Sequence, residues 1–421
     1  MREERDEAPP RWGLAGLYAA AIAGYPLVAS VPVALNLGSR MISVPYRAVI
    51  LGVSLGVALH SVRRKEQYAG GLWMPLGVFW VLYTARMLVD TVFDPVPLGR
   101  PATDYFLYAI GTCLIPMVAL LGKPSDATIR LALRMTTAAA TAALVAVAYV
   151  GVQSLRSGDF RVVATGRFEL ATLNPISLGH LGVSLATLAL FQLRTSDYRP
   201  RRSAIVLIPA VALGLLTAGV AASKGPLVAL LINLGFLFFL DWREGRRGRA
   251  LIGALAAPLV ALPAARYLEE ALGFTIISRI ELGLNSPERF ALLKGARDQF
   301  LAHPFVGSSL DERVSLTYPH NTFLESFMAI GALGGLCYAA FHLIALWRAL
   351  LVVVARPGAA WVGILCVQYT VGALLSGSLY TSNTMWALLA AVVAVADELA
   401  PAEAPLYNSP SSEATMDFRS Q

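Results

Sequence analysis

The sequence predicts an all-α polytopic membrane protein with about twelve transmembrane helices. Hydrophobic residues make up 56% of the 421 positions and charged residues only 14%, whereas soluble domains average about 45–50% apolar and about 25% charged residues. Apolar runs such as 204–220 and 226–240 are nearly uninterrupted. Most of the surface must therefore face lipid, and little of the chain remains for a separate soluble domain.

The predicted helices follow one another in chain order, and each is an apolar run of about 20 residues or somewhat less, close to the length that crosses the hydrocarbon core of a bilayer. The first run follows residues 1–12, where acids and bases are mixed, and the last precedes 398–421, whose Ser, Pro and Glu content predicts a disordered tail. The predicted spans are residues 13–34, 46–61, 71–89, 103–122, 128–150, 173–193, 203–221, 224–240, 250–265, 322–346, 357–376 and 384–397.

Basic residues predict the orientation of the chain, because short loops rich in Lys and Arg stay in the cytoplasm. Such loops follow even-numbered spans, and the clearest is 241–249, which holds four arginines between two apolar runs. Both tails, 1–12 and 398–421, are therefore predicted to be cytoplasmic. Spans 1–9 then occupy 13–265, spans 10–12 occupy 322–397, and the segment between them lies on the outer side.

This outer segment, residues 266–321, is predicted to contain one amphipathic helix. Ser286 followed by Pro287 and Glu288 has the pattern of an N-cap with proline and an acid in the first turn. Apolar residues, among them Phe290 and Phe300, then recur at helical spacing. The helix is predicted to end near the His303–Pro304 dipeptide and to lie on the membrane surface.

Several basic residues are predicted on the outer side, against the usual bias. A basic, partly desolvated pocket suits a phosphate or pyrophosphate group, since Arg offers two parallel donors and Lys a point charge. The structural alternative is ion pairing with acids, and Arg86 and Asp90 have the i,i+4 spacing of a helical ion pair. A lone lysine can likewise snorkel from a turn. The candidate anion-binding residues are Arg86, Arg167, Lys224, Arg266 and Arg289.

The net charge of +7 does not point to nucleic acid, because the basic residues form short blocks between apolar runs rather than one stripe or helix face. Nor do the outer loops hold a cluster of acids, His or Cys with metal-ligand spacing. We therefore predict no metal and no cofactor.

His320 is the histidine best placed for chemistry, because it ends the outer segment where the chain enters the next span. An imidazole there can accept a proton from a hydroxyl near neutral pH, and Asn321 or Glu325 could orient it. The other four histidines lie in or beside apolar runs or precede a proline, and they are read as structural. Composition alone leaves a structural role open for His320 as well.

The sequence around His320 resembles the signature of the O-antigen ligase and polymerase superfamily. The resemblance lies in Pro319-His320-Asn321-Thr322-Phe323-Leu324-Glu325, followed by Ile330-Gly331 and Gly334-Gly335. Three further pieces occur in the same order as in that family, and together they extend the resemblance from 167 to 335. They are Gly166-Arg167-Phe168 with Leu173-Asn174-Pro175, then Ser223-Lys224-Gly225, then Glu288-Arg289 leading to His303-Pro304-Phe305-Val306-Gly307.

The resemblance implies a glycosyltransferase of the GT-C type that needs no metal and acts at the periplasmic face of the bacterial inner membrane. Its donor is a glycan on undecaprenyl pyrophosphate, and its acceptor, for a ligase, is lipid A core. By position His320 would be the general base, with Asn321 and Glu325 as supporting residues. Lys224 departs from the family, which often has arginine there. The pyrophosphate contacts would come from Arg167, Lys224, Arg266 and Arg289, and less directly from Arg86.

Other functions remain open at this stage. An O-antigen polymerase uses the same donor for both partners, but such enzymes tend to have two sizeable outer loops, whereas one outer segment dominates here. Protein O-oligosaccharyltransferases share the same motif. A transporter would belong to a different class, and neither repeated halves nor a matching pair of broken helices is visible in the sequence. We therefore expect an O-antigen ligase.

Overall fold

A computed structural model of the chain describes residues 9, 11–34, 39–63, 73–156, 173–195, 200–248, 266, 270 and 287–399. These residues form a helical bundle, and no β-strand occurs among them. The helices are α1 (Trp12–Ala19), α2 (Tyr25–Ala34), α3 (Ser39–Arg63), α4 (Trp73–Leu88), α5 (Ala102–Phe106), α6 (Ile115–Leu120), α7 (Asp126–Arg156), α8 (Pro175–Thr195), α9 (Pro200–Val220), α10 (Lys224–Arg243), α11 (Pro287–Ala302), α12 (Thr322–Ala355), α13 (Ala360–Ser376) and α14 (Asn383–Ala396).

Three short π-helical segments join or extend these helices. Ala20–Gly24 connects α1 to α2, Val89–Phe93 extends α4, and Leu107–Leu114 connects α5 to α6. Each keeps the chain helical through a predicted span. Extra residues of this kind inside a helix shift the side chains that follow, and they occur often at functional sites.

Ten segments of the described residues are long and apolar enough to cross a membrane, which confirms the predicted class of an all-α polytopic membrane protein. These ten are fewer than the twelve predicted spans. The ninth predicted span, 250–265, lies outside the described residues. The twelfth corresponds to α14, whose 14 residues make a helix of about 21 Å, shorter than the hydrocarbon core of about 30 Å.

Helix α12 is broken at Gly331, where φ is 68° and ψ is −169°. A straight helix of its 34 residues would be about 51 Å long. Instead Phe323, before the break, packs against Tyr338 and His342 after it, with ring centres 5.0 and 5.3 Å apart. Such contacts belong to an antiparallel helical hairpin. The predicted span 322–346 lies within the candidate membrane span Thr322–Ala355 and contains this break.

The backbone of 304–308 closes the break in α12. The Ala332 N–H donates to the Pro304 carbonyl over 2.7 Å, so a group freed by the break is satisfied, as a membrane environment requires. Gly307 and Gly331 both have positive φ. A Cβ on Gly307 would overlap the backbone of 329–330, and a Cβ on Gly331 would overlap the backbone of 305–306. Only glycine fits at both positions.

Helix α11 confirms the helix predicted in the outer segment, with Pro287 as its first residue. The buried face overlaps the predicted face, which comprises Phe290, Leu293, Ala296 and Phe300, only in part. Leu292 and Ala296 are buried, whereas Phe290 is 73% exposed. Phe300 packs on Phe327 of α12 with ring centres 5.4 Å apart, so α11 is attached to the broken helix rather than isolated from the bundle.

A buried polar layer joins α8, α10 and α13. The Asn233 amide donates to Thr187 over 2.9 Å and to the Gln368 side chain over 2.7 Å. Gln368 in turn donates to Ser184 over 2.8 Å and to the His180 carbonyl over 2.9 Å. Leaving such groups unpaired in a membrane is costly, so this layer fixes the register of three helices whose ends carry candidate site residues.

The bundle has two ends of different character. We call the site end the one where 94–101, 221–223 and 377–382 lie, together with the segment between α11 and α12. At the opposite end basic side chains pair with acids, as in the 2.6 Å contact between Arg194 and Asp241. The start of α1 and the end of α14 also lie at this opposite end. Arg11, just before α1, donates to Ser61 and Thr128. Glu398, just after α14, pairs with Arg356.

Candidate functional site

His320 lies at the site end, two residues before α12 begins. Its φ of 55° is in the left-handed region, which a residue with a Cβ rarely adopts and which costs on the order of 1–3 kcal/mol. Among the described residues, Ala222 and Leu316 are the other non-glycine residues with positive φ. Both lie in turns at the same end, and Ala222 comes two residues before Lys224. Backbone strain is therefore concentrated around the candidate site.

The imidazole of His320 is held in its neutral form. Burial lowers its pKa below the ordinary value of 6.5, and the nearby positive charge of Arg289 lowers it further, against the opposing effect of a hydrogen bond with the Ser376 backbone. The ring of Tyr318 meets it edge-on, with centres 4.6 Å apart. A neutral imidazole is the form that can accept a proton.

Asn321 and Glu325 support His320 through the backbone rather than by contacting its ring. The Asn321 side chain accepts from the Leu324 N–H over 2.9 Å and so caps α12, while its amide donates to the Leu374 carbonyl over 3.2 Å. Glu325 is fully buried, and its two oxygens accept from the Leu379 N–H over 3.1 and 3.0 Å. These bonds hold the end of α13 and the following turn against the start of α12.

Arg289 and the start of α10 both lie near the end of α13. Arg289 is half-buried on α11 and donates a hydrogen bond to the Leu375 carbonyl. Lys224 is the first residue of α10, and a Cβ on its neighbour Gly225 would lie 3.9 Å from the Leu375 side chain. Arg289 is thus brought close to His320, and the helix that begins with Lys224 starts near the same end of α13.

Arg86 has a different environment from the other candidates. Its guanidinium donates to the carbonyls of Ala329, Val306, Gly307 and Ser308 over 2.8–3.2 Å and pairs with Asp90 at 3.2 Å. All of these acceptors belong to the protein. The four carbonyls lie in the backbone on either side of the break in α12, in 306–308 and at Ala329, and we call these residues together with Arg86 and Gly331 the brace. The structure therefore favours the ion-pair alternative for Arg86 over a contact with pyrophosphate.

The two remaining candidates are not brought to the site by the described residues. Arg167 lies outside them. Arg266 is exposed, and the described residues do not place it in contact with His320. Their role in binding pyrophosphate stays a prediction.

Sequence reasoning missed two arginines and two tyrosines of this region. Arg47 stacks over the ring of Tyr108, with its guanidinium carbon 4.1 Å from the ring centre. Arg100 forms a hydrogen bond with Tyr380 and lies close to the phenols of Tyr108 and Tyr318. A charged residue near the start of an apolar run, such as Arg47, is the signal that could have revealed them.

Comparison of the chain with protein-family models, with curated protein sequences and with solved structures gives no significant match in any of the three. What the site can do must therefore be judged from its own residues.

Proposed function

We propose that the chain is a membrane-embedded glycosyltransferase of the GT-C type, an O-antigen ligase that moves a glycan from undecaprenyl pyrophosphate to a sugar hydroxyl of lipid A core. The observation that carries the proposal is the partly buried imidazole of His320, whose pKa is lowered by burial and by the nearby charge of Arg289. Lys224, at the start of α10, lies near the same end of α13. A proton acceptor flanked by cations is what a reaction needs when a hydroxyl attacks and a pyrophosphate leaves. The motif around His320 adds the resemblance to the ligase and polymerase superfamily.

His320 takes the proton in this reaction. The acceptor hydroxyl oxygen forms a bond to the anomeric carbon of the donor sugar as the bond from that carbon to the pyrophosphate oxygen breaks. The hydroxyl proton passes to the imidazole, which later releases it to water. Direct displacement inverts the configuration of the anomeric carbon. Because its pKa is lowered, the imidazole is ready to accept a proton throughout the neutral range.

Arg289 and Lys224 stabilise the leaving group. Negative charge grows on the pyrophosphate as the glycosidic bond breaks, and cations in a partly buried site stabilise that charge more strongly than cations in water do. Lys224 begins α10, so the positive end of the helix dipole adds to its charge. Arg289 is fixed by its bond to the Leu375 carbonyl, which keeps its position ready before the substrate arrives.

The distribution of charge supports a periplasmic site. Basic residues at helix ends and in the loop after α10, such as Arg194, Arg243 and Arg246, lie at the opposite end of the bundle, and short basic loops stay in the cytoplasm. Both described chain ends lie at that end as well. The site end then faces the periplasm of the bacterial inner membrane, where lipid-linked glycans replace nucleotide sugars as donors. Both substrates would enter sideways from lipid.

The test is a transfer assay with full-length protein in proteoliposomes, supplied with undecaprenyl-pyrophosphate glycan and lipid A core. Wild type should form core-linked glycan and release undecaprenyl pyrophosphate, and His320→Ala should lower the rate by about two to four orders of magnitude. His303→Ala is the matched control, because His303 is exposed at the end of α11. It should keep wild-type activity.

The outcomes separate the competing functions. Glycan that lengthens on its own lipid carrier, without core-linked product, would identify a polymerase. Transfer to a protein acceptor in place of lipid A core would identify a protein O-oligosaccharyltransferase. If His320→Ala transfers at the wild-type rate, the imidazole is not the base. If wild type releases no undecaprenyl pyrophosphate with any of these acceptors, the transferase proposal is wrong.

A further inference from the structure

A row of aromatic side chains leads away from His320 at the site end. Tyr318 contacts the imidazole, with ring centres 4.6 Å apart. Tyr380 follows with its ring centre 6.0 Å from that of Tyr318, and Tyr108 lies 6.4 Å beyond Tyr380. These three tyrosines come from three separate parts of the chain, so their alignment beside the proposed base is a product of the fold.

Two guanidinium groups lie along this row. Arg47 of α3 stacks on Tyr108 and hydrogen-bonds to its hydroxyl. Arg100 is exposed in the turn before α5 and hydrogen-bonds to Tyr380. Burial lowers the pKa of Arg100, but the phenols of the three tyrosines raise it by more, so this cation is surrounded by phenol oxygens.

Neither Arg47 nor Arg100 forms an ion pair with a carboxylate among the described residues. Two buried acids lie near this row. Asp311 accepts from the Tyr105 hydroxyl and from the Gly99 N–H, and Glu325 accepts from the Leu379 N–H. Arg86, at the same end, pairs with Asp90. Within the part of the chain that the structure describes, the guanidinium groups of Arg47 and Arg100 thus face phenols rather than a paired carboxylate.

This combination of groups matches an anionic sugar. Guanidinium groups bind phosphate and carboxylate through parallel hydrogen bonds. Phenol hydroxyls exchange hydrogen bonds with sugar hydroxyls, and the half-buried rings of Tyr108 and Tyr318 can offer apolar faces to the C–H face of a sugar. Tyr380 is only 1% exposed and packs between these two rings. Of the two proposed pyrophosphate-binding residues, Arg289 donates to the Leu375 carbonyl. Lys224 begins the helix whose next residue, Gly225, lies near the Leu375 side chain. The surroundings of both thus differ from the tyrosine row.

We propose that Arg47, Arg100 and the tyrosine row form the acceptor subsite, and that this subsite selects a saccharide carrying a phosphate or carboxylate close to the reacting hydroxyl. The inference rests on the proposed function, because it takes His320 as the base that the acceptor hydroxyl must reach. The donor is then held on the Lys224 and Arg289 side, and each substrate has cations of its own.

The test measures acceptor binding without turnover. Full-length protein in nanodiscs, with no donor, is titrated calorimetrically with delipidated core oligosaccharide in three forms: intact, phosphatase-treated, and with its carboxylates amidated. Neutralising the recognised group should weaken binding by about tenfold or more. Whichever treatment has this effect shows whether phosphate or carboxylate is recognised. Arg47→Gln and Arg100→Gln should weaken binding of the intact form similarly and leave that of the neutralised form unchanged.

Two further variants control this experiment. Arg297→Gln is the matched control, because Arg297 is 60% exposed at the same end and pairs with Asp298; it should bind the intact form like wild type. Arg100→Lys keeps the charge and should retain most of the selectivity. It also provides a folded comparison if Arg100→Gln proves unstable, and the treated oligosaccharides decide the question on wild type alone.

The inference is overturned if wild type binds the intact and both treated forms equally, if it binds none of them, or if both glutamine variants bind the intact form like wild type. The proposed function fails separately. Selective binding without transfer in the proteoliposome assay would leave the subsite in place and remove the reaction assigned to it.

Discussion

Replacing Arg86 by Gln tests whether this residue braces the fold or binds substrate. Its guanidinium serves four carbonyls and the Asp90 carboxylate, which is only 1% exposed. Glutamine offers too few donors to replace these bonds, and Asp90 would keep only the 2.8 Å bond from the Leu310 N–H. Removing one partner of a buried pair costs about 3–5 kcal/mol. We expect the free energy of unfolding to fall by that amount.

The assay is thermal and denaturant unfolding in detergent micelles, followed by tryptophan fluorescence, together with the KM for the lipid-linked donor. Arg348→Gln is the control, since Arg348 is 22% exposed and lies 3.5 Å from Asp397 at the opposite end; it should cost less than about 1 kcal/mol. If Arg86→Gln unfolds like wild type but raises the donor KM, then Arg86 binds substrate and the bracing role is refuted.

Three other predictions concern the site and its supports. Arg289→Gln should raise the pKa of His320, because a neighbouring positive charge is removed; the acidic limb of the rate profile then moves to higher pH, and an unmoved limb would show that the two charges do not interact. Gly331→Ala should cost at least about 3 kcal/mol of unfolding free energy, since backbone strain and overlap with the Phe305 carbonyl combine. Gly56→Ala is the control and should cost nothing, because the space around Gly56 is open. Equal melting temperatures of the two variants would contradict this. Glu325→Ala should lower both the melting temperature and the transfer rate, because the buried Leu379 N–H loses its acceptor at a cost of about 1–3 kcal/mol. Glu325→Gln keeps an acceptor and should retain more of both. Identical losses in the two variants would contradict the acceptor role.

The sequence predicts features that depend on neighbouring residues better than features that depend on distant ones. The pattern of Ser286, Pro287 and Glu288 predicts the start of α11, and the structure confirms a helix that begins at Pro287 with Glu288 in its first turn, although Ser286 itself lies outside the described residues. Such a signal depends only on neighbouring residues. The break at Gly331 depends on the approach of 304–308, which no local pattern reveals. A run of apolar residues therefore predicts one long span where the chain in fact makes a hairpin.

The same difference separates the basic residues. Arg86, Arg47 and Lys224 all look alike in sequence, as single cations at the ends of apolar runs. What distinguishes them is the set of acceptors that the fold brings near, and for Arg86 the carbonyls come from residues more than 200 positions away. Sequence alone could name a basic outer side, but it could not divide its cations between bracing, donor binding and acceptor binding.

The hairpin in α12 also explains how a loop residue can work inside the bundle. The part of α12 before Gly331 has about nine residues and a length of about 13 Å, and it runs back along the helix that follows. His320 lies at its far end, so the proposed base is displaced by roughly that distance from the turn at Gly331 and lies beside the end of α13 and Tyr318. A continuous helix would have left His320 at the outer tip. The brace formed by Arg86, Gly307 and Gly331 is therefore a condition for the position of the proposed base, although none of the three touches it.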